Sequence, residues 1–165
     1  MIKAVFYLVL VFPIGLFGDI GVLKSIIDGD TIKFNNATCR IAYIDTPESH
    51  KNAKAKRDAQ SCHGVTVETI MEMGKESTRH AALLLQIGKS YHYDVINTDR
   101  YKRSICVVEL GETLFNEQMI ADGYAVVYER YVPDRLKRRY RLLEQEAKRA
   151  HKGLWGKYKK ICSGY

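Results

Sequence analysis

The chain has 165 residues, a length typical of one domain that buries its own hydrophobic core. Hydrophobic residues make up 46% and charged residues 27% of the sequence, which excludes the composition of a disordered protein. With 26 Lys and Arg against 19 Asp and Glu, the net charge is +7, so we expect a polyanionic partner: nucleic acid, an acidic membrane surface or an acidic polymer.

The first 18 residues are typical of a secretory signal peptide. A short positive start, 1–3, precedes an uncharged run, 4–17, that is shorter than the roughly 20 residues needed to span a bilayer. We therefore expect a signal peptide at 1–18, a folded domain at 19–165 and export to the periplasm or the medium, without a permanent membrane span. The alternative is an uncleaved N-terminal segment that anchors the protein to a membrane.

Turn-forming pairs divide the next region into short strands. Asp28-Gly29 and Asn35-Asn36 separate runs in which apolar and polar residues alternate, as in a meander of antiparallel strands. We expect these strands at 22–27, 31–34 and 38–44.

The middle of the chain mixes helices and strands. The charged stretch 50–57 has few apolar residues and predicts a solvated loop. Helical spacing predicts a short helix over 65–73 and a longer one over 74–87. Two further strands are expected at 90–96 and 104–110.

The C-terminal part is helical. Residues 116–122 predict a short helix that ends before Gly123, and Pro133 begins a long helix with one apolar face. The basic residues of this long helix are expected to form a solvated face more than a phosphate contact. Five short strands with a helix between the third and fourth predict an α+β fold: a five-stranded OB-type β-barrel with about three α-helices.

The four cysteines do not have the spacing of a zinc site. Cys39 and Cys106 lie in apolar strand-like runs, where buried thiols are a common state. Cys62 and Cys162 lie in polar surroundings, and we expect them to pair in an oxidising compartment, tying the C-terminal tail to an early loop.

Ionisable residues cluster where the N-terminal strands turn. Asp28 and Asp30 flank the first hairpin, while Arg40 and Asp45 lie on and after the third strand. The turns and strand ends of a meander can meet at one rim of a barrel. Two carboxylates at such a rim can hold a hard cation through oxygen.

Two further features extend this set of groups. Glu48 directly follows Pro47 and can position a water molecule, while Arg40 and Arg103 can grip a phosphate in bidentate fashion. Each residue alone is commonplace at a turn or on a surface. Together, in this order, they are the parts of a metal-assisted phosphodiesterase.

At these residues the sequence resembles the staphylococcal nuclease family. The resemblance covers roughly 22–157, and it is carried by the runs 27–31, 40–48 and 99–103, by Asn116-Glu117 with Gly123, and by 153–155. It implies that 19–165 is a nuclease domain, a calcium-dependent endonuclease that hydrolyses DNA and RNA to 3′-phosphate and 5′-hydroxyl products.

The resemblance also implies a role for each matching residue. Three residues match the catalytic trio: Arg40, Glu48 and Arg103. Two carboxylates and one main-chain carbonyl match the ligands of Ca²⁺: Asp30, Asp45 and Thr46. One carboxylate matches a group just outside the metal site, and two tyrosines match the nucleotide site: Asp28, Tyr101 and Tyr131.

The sequence departs from the family pattern at three places. Lys102 stands where the family often has glycine, Glu129 stands where a second binding tyrosine often lies, and 50–73 is longer than in the simplest members. None of these changes removes a catalytic group.

Two alternatives to the enzyme are open. One is an inactive nuclease-like OB module that binds nucleic acid, and the other is a basic exported protein that acts on acidic cell-surface polymers. Degenerate modules of this family typically lose the metal carboxylates or the arginines. Because this chain keeps both, we favour the enzyme, acting as a monomer on DNA and RNA without a stable protein partner.

Overall fold

The structure is a computed structural model that describes residues 18–62, 64–158 and 161. Apart from Gly18, the predicted signal peptide lies outside the described residues. The elements run in the order β1 (Asp19–Asp28), β2 (Thr31–Phe34), β3 (Thr38–Ile41), β4 (Ile44–Asp45), α1 (Ala53–Ser61), α2 (Val67–Leu84), β5 (Ser90–Thr98), β6 (Ser104–Leu110), β7 (Thr113–Leu114), α3 (Phe115–Ala121), β8 (Val126–Val127), a 3₁₀ turn (Glu129–Tyr131), α4 (Asp134–Arg149) and α5 (Leu154–Lys157).

Five strands form a closed barrel. They are hydrogen-bonded in the order β3-β2-β1-β5-β6, and β3 pairs with β6 in parallel to complete the ring. Shifts of register within the β1–β2 and β5–β6 pairs mark bulges, which let long strands coil. The predicted α+β OB-type barrel is confirmed, although the described residues contain the four helices α1 to α4 and the one-turn α5 where about three helices were expected.

The core fills the barrel and continues under its helices. Leu23 and Ile32 point inward from the strands and pack with Phe115 and Met119 of α3 and with Tyr140 of α4, all of them almost fully buried. The described part of the chain contains no helix that is long and apolar enough to cross a membrane.

A disulfide joins Cys39 of β3 to Cys106 of β6, with the two Cα atoms 5.5 Å apart. The interpretation of these cysteines as buried thiols is therefore wrong: both are buried, but they are bonded to each other across the pair of strands that closes the barrel. Cys62 is also buried. Its predicted partner, Cys162, lies outside the described residues, so that pairing stays a prediction.

The predicted loop at 50–57 is wrong, because most of it belongs to α1. Asn52 caps this helix: its side-chain oxygen accepts a hydrogen bond from the Ala55 nitrogen at 2.9 Å. The two helices predicted over 65–73 and 74–87 are a single helix, α2, that continues through Gly74. Glycine has a low helix propensity, which is why Gly74 was expected to separate two helices. The close packing of another main-chain segment against Gly74 explains why a glycine lies inside this helix.

The third predicted strand is shorter than expected. β3 ends at Ile41, and Tyr43 in the following turn has φ 68°, a left-handed conformation that a strand cannot contain. The chain then forms β4, which pairs with β8 in a separate two-stranded sheet. This turn directs Asp45 towards the barrel rim, next to the β1–β2 hairpin.

Candidate active site

Arg40 lies between two carboxylates at one rim of the barrel. Its Nη1 contacts Asp30 Oδ2 from the β1–β2 hairpin, and its Nη2 lies 2.6 Å from Asp45 Oδ1 on β4. The Arg40 side chain is 17% exposed, and both carboxylates are more deeply buried. Buried carboxylates are costly without a partner, so Arg40 stabilises their charged forms. The structure thus brings these three predicted residues together.

Thr46 continues the same rim. Its main-chain nitrogen donates a hydrogen bond to Asp30 Oδ2 at 2.9 Å, and Asp30 Oδ1 accepts another from the Thr31 hydroxyl at 3.1 Å. The Thr46 carbonyl oxygen accepts a hydrogen bond from Lys54 Nζ at 3.1 Å. Its hydroxyl is buried and has no hydrogen-bond partner among the described residues.

Lys54 of α1 brings a cation into this cluster, and sequence reasoning missed it. Its Nζ lies 3.0 Å from Asp45 Oδ2, 3.3 Å from Glu48 Oε1 and 3.1 Å from Asp58 Oδ2. Burial by itself lowers the pKa of Lys54, but the charges of Asp45, Asp58 and Glu48 outweigh it and raise that pKa above its ordinary value. Lys54 is therefore charged at neutral pH.

Glu48 presents its two carboxylate oxygens to different partners. Oε1 faces Lys54, and Oε2 accepts a hydrogen bond from Asn52 Nδ2 at 2.5 Å. The side chain is partly exposed, so solvent reaches it. The structure places this carboxylate within reach of the same ammonium that contacts Asp45, which puts the predicted water-positioning group and a predicted metal ligand around one point.

Two glycines let main-chain segments of the site approach closely. A β-carbon on Gly29 would lie 2.8 Å from Ser77 Cβ and 3.0 Å from Thr46 Cγ2, so the hairpin packs flat against α2 and the rim. A β-carbon on Gly74 would overlap the main-chain carbonyl of Glu48. Helix α2 therefore packs directly against the main chain of this rim.

Asp28 lies beside the cluster, with its contacts directed to α2. Its Oδ1 accepts hydrogen bonds from the Thr78 hydroxyl at 3.1 Å and from the Gly29 nitrogen at 3.0 Å. Burial raises the pKa of Asp28 above its ordinary value, and the negative charge of Glu48 adds to the rise. Its expected role just outside a metal site stays a prediction.

Arg103 is the predicted catalytic residue that the structure does not join to the cluster. It immediately precedes β6, next to β3, but its Nε donates to Asp99 Oδ2 at 2.8 Å. Asp99 also accepts from the main-chain nitrogens of Arg103 and Tyr101. Lys102 in this loop has φ 63°, a conformation that favours glycine and gives a physical reason for the glycine often found there in the family.

The two predicted nucleotide-site tyrosines are exposed. Tyr101 is 65% exposed, with the guanidinium of Arg100 4.8 Å from the centre of its ring, and Tyr131 is 57% exposed. Glu129, where a second tyrosine often lies, pairs with Arg141 of α4 through two hydrogen bonds of 2.6 and 2.8 Å. Its negative charge is thus matched by a partner.

Sequence reasoning missed the contributions of α1 and Gly74. Two local features of the sequence indicate the helix α1. Asn52 is a typical N-cap residue, and Lys54 and Asp58 are spaced four residues apart, as in a helical ion pair. Across the described residues, no group of three or more His, Cys, Asp or Glu side chains has the arrangement of a metal site. The predicted ligand set has only two carboxylates, with Thr46 contributing its main-chain oxygen.

The chain is similar to known proteins. A family model described as staphylococcal nuclease homologue matches residues 38–157. The chain is also 31% identical over 157 residues to a protein of Komagataella phaffii described as probable endonuclease LCL3, covering 82% of this chain and 68% of that protein. The family match begins after the β1–β2 hairpin and does not include Asp30. Asp30 is therefore assigned to the site from its contacts with Arg40 and Thr46.

Proposed function

The chain belongs to the staphylococcal nuclease homologue family, and from this premise we propose that it is a calcium-dependent endonuclease. Its substrates are DNA and RNA, and its products carry 3′-phosphate and 5′-hydroxyl ends. One observation carries the proposal: Asp45 and Glu48 approach a single point, 3.0 and 3.3 Å from one ammonium nitrogen, beside the guanidinium of Arg40. A metal ligand and a water-positioning base need this proximity.

The donor chemistry of the rim fits a calcium ion. Ca²⁺ prefers oxygen ligands from carboxylates and main-chain carbonyls, and it tolerates irregular geometry. Asp30 and Asp45 would supply carboxylate oxygens, and Thr46 would supply its carbonyl oxygen. A calcium ion held there supplies positive charge against the phosphodiester, as metals do in phosphoryl chemistry.

The surrounding residues divide the remaining work. Arg40 binds two phosphate oxygens through its planar guanidinium and counters the charge that develops on them, for which its two Nη atoms must exchange Asp30 and Asp45 for the phosphate. Glu48 orients the attacking water and accepts its proton through Oε1, while Asn52 holds Oε2. Arg103 stabilises the transition state and the leaving 5′-oxygen, for which its guanidinium must exchange Asp99 for the phosphate.

The substrate reaches this rim along a basic and aromatic surface. Tyr101 and Tyr131 offer exposed rings on which bases can stack, and arginines lie beside both rings. The net charge of +7 attracts the polyanion generally, so binding weakens steeply as salt increases.

An assay of cleavage and product ends tests this function. The protein is incubated with supercoiled plasmid and with RNA, in calcium and in excess chelator, alongside Asp45→Asn as a matched control. We expect calcium-dependent smearing by the wild type alone, and products that a polymerase extends only after phosphatase treatment. Retention of nucleic acid without cutting would support the inactive binding module, and equal cutting in chelator would refute calcium dependence.

We infer that the enzyme works outside the cytoplasm. The Cys39–Cys106 disulfide supports this location, because disulfides persist mainly in oxidising compartments. The hydrophobic N-terminal sequence supports it as well. Fractionation of the native host tests the proposal: the protein should appear in the periplasm or the medium, and recovery with the cytoplasm would overturn it.

A further inference from the structure

The ammonium of Lys54 is surrounded by oxygen atoms. Besides Asp45 at 3.0 Å and Glu48 at 3.3 Å, it contacts Asp58 Oδ2 at 3.1 Å and the Thr46 carbonyl oxygen at 3.1 Å. Carboxylate and carbonyl oxygens are the donors that hard cations prefer, although the three carboxylates do not have the arrangement of a metal site by themselves. Here the chain itself provides the cation.

Lys54 is more deeply buried than an ordinary surface lysine. Its side chain is 25% exposed, while the side chains of Asp45 and Asp58 are 3% exposed. Three carboxylates around one small volume repel one another unless a positive charge lies between them. Lys54 supplies that charge, with an ion-pair partner on its own helix, Asp58, four residues away, and Arg40 adds a second positive charge at Asp45.

The contacts of Lys54 overlap with the proposed calcium site. The Asp45 carboxylate and the Thr46 carbonyl would serve the metal, and both already contact the ammonium. Arg40 contacts the other oxygen of this carboxylate, Asp45 Oδ1, whereas Lys54 faces Oδ2 and the Thr46 carbonyl. A calcium ion on Oδ2 and the Thr46 carbonyl would lie against the ammonium, and two cations that close repel strongly at a partly buried site. Calcium binding at this rim therefore requires Lys54 to move.

We propose that Lys54 is a resident cation that competes with the divalent metal for the rim and so sets the calcium affinity of the site. This inference rests on the proposed calcium site. When the metal binds, Lys54 withdraws from Asp45 and Thr46 and remains paired with Asp58 through the helix. At low calcium concentration the lysine neutralises Asp45, Glu48 and Asp58, while Arg40 pairs with Asp30 and Asp45.

Calcium binding without any nucleic acid tests the proposal. Lys54→Met removes the ammonium while keeping the length of the side chain, and Lys54→Met with Asp58→Asn removes one charge of each sign, so the net charge of the protein is unchanged. Affinity is measured by calorimetry with Ca²⁺ alone, and the fold by circular dichroism. We expect about tenfold tighter binding in both variants, the effect of losing one charged hydrogen-bonded competitor.

A matched control is Lys56→Met, on the exposed face of the same helix. It removes the same charge as Lys54→Met and should change the affinity little. If neither Lys54 variant binds calcium more tightly than the wild type, or if Lys56→Met matches them, the proposal is overturned. If the single variant fails to fold, the charge-balanced double variant decides.

Failure of the proposed function gives a different result. A protein that binds calcium but cuts no nucleic acid refutes the endonuclease and leaves the comparison of affinities intact. Asp45→Asn should abolish calcium binding, and unchanged binding by this variant would place calcium elsewhere and refute both the metal site and the competition by Lys54.

Discussion

Gly74 of α2 lies directly against the main chain of Glu48. A β-carbon at Gly74 would overlap the Glu48 carbonyl and come within 2.5 Å of the Ser49 nitrogen. Asp28 also contacts this main chain, because its Oδ2 accepts a long hydrogen bond of 3.5 Å from the Ser49 nitrogen. A helix that appears remote in sequence therefore sets where the proposed water-positioning carboxylate lies.

The first prediction concerns this contact. Gly74→Ala should displace Glu48 and lower kcat by at least about tenfold, because small misplacements of a catalytic group are costly. It should also lower the free energy of unfolding by about 1–3 kcal/mol through overpacking, in spite of the better helix propensity of alanine. Nuclease kinetics and urea unfolding check it, with Glu72→Ala on the exposed face of α2 as control. Full activity in Gly74→Ala would show that contact with α2 does not set the position of Glu48.

The second prediction concerns the Glu48 carboxylate. Glu48→Gln keeps the size of the side chain and removes the base, so kcat should fall by roughly 10²–10⁴-fold while KM changes little. The melting temperature should remain close to that of the wild type, because the side chain is partly exposed. Near-normal turnover by this variant would remove Glu48 from the mechanism.

The third prediction concerns the disulfide that closes the barrel. Cys39→Ala with Cys106→Ala opens a link across 67 residues of sequence and should cost roughly 4 kcal/mol of stability, mainly by freeing the unfolded chain. Urea unfolding measures the loss. Activity measured at low temperature, where the variant is folded, reports whether Arg40, next to Cys39, keeps its position. A loss below about 1 kcal/mol would show that β3 and β6 hold together without the bond.

The fourth prediction concerns pH and the 99–103 loop. Burial alone raises the pKa of Asp99, but hydrogen bonds from Arg103 and from the Tyr101 nitrogen outweigh it and lower that pKa below its ordinary value. Stability from this loop is therefore present above the unfolded pKa of about 3.9 and is lost as pH falls through the lower folded value.

Asp99→Asn tests this dependence. The wild type should be more stable than the variant at neutral pH, and the difference should shrink as the solution is acidified below about pH 4, as measured by unfolding at a series of pH values. A difference that stays constant with pH would assign the loss to geometry and exclude the charge of Asp99. The same variant frees Arg103 from its partner, so its activity reports whether that pairing restrains Arg103.

Much of the barrel follows from local signals. The Asp28-Gly29 pair predicted the β1–β2 hairpin, and Pro133 with its apolar spacing predicted α4, because turn and helix preferences act over a few neighbouring residues. Local patterns were misleading at α1, where a high charge content suggested a loop. The charge of Lys54 is balanced by Asp58 on the same helix and by Asp45 and Glu48, and the last two pairs are tertiary contacts.

The balance of charge, the order of Arg40, Asp45 and Glu48, and the family to which they point were determined by the sequence alone, since they depend only on residue type and spacing. Only the tertiary structure decided that Cys39 bonds to Cys106, that Gly74 packs against the main chain of Glu48, and that Lys54 lies among the oxygen atoms of the rim. These are contacts between segments distant in sequence. No local preference encodes them, because they arise when the closed barrel and its helices bring those segments together.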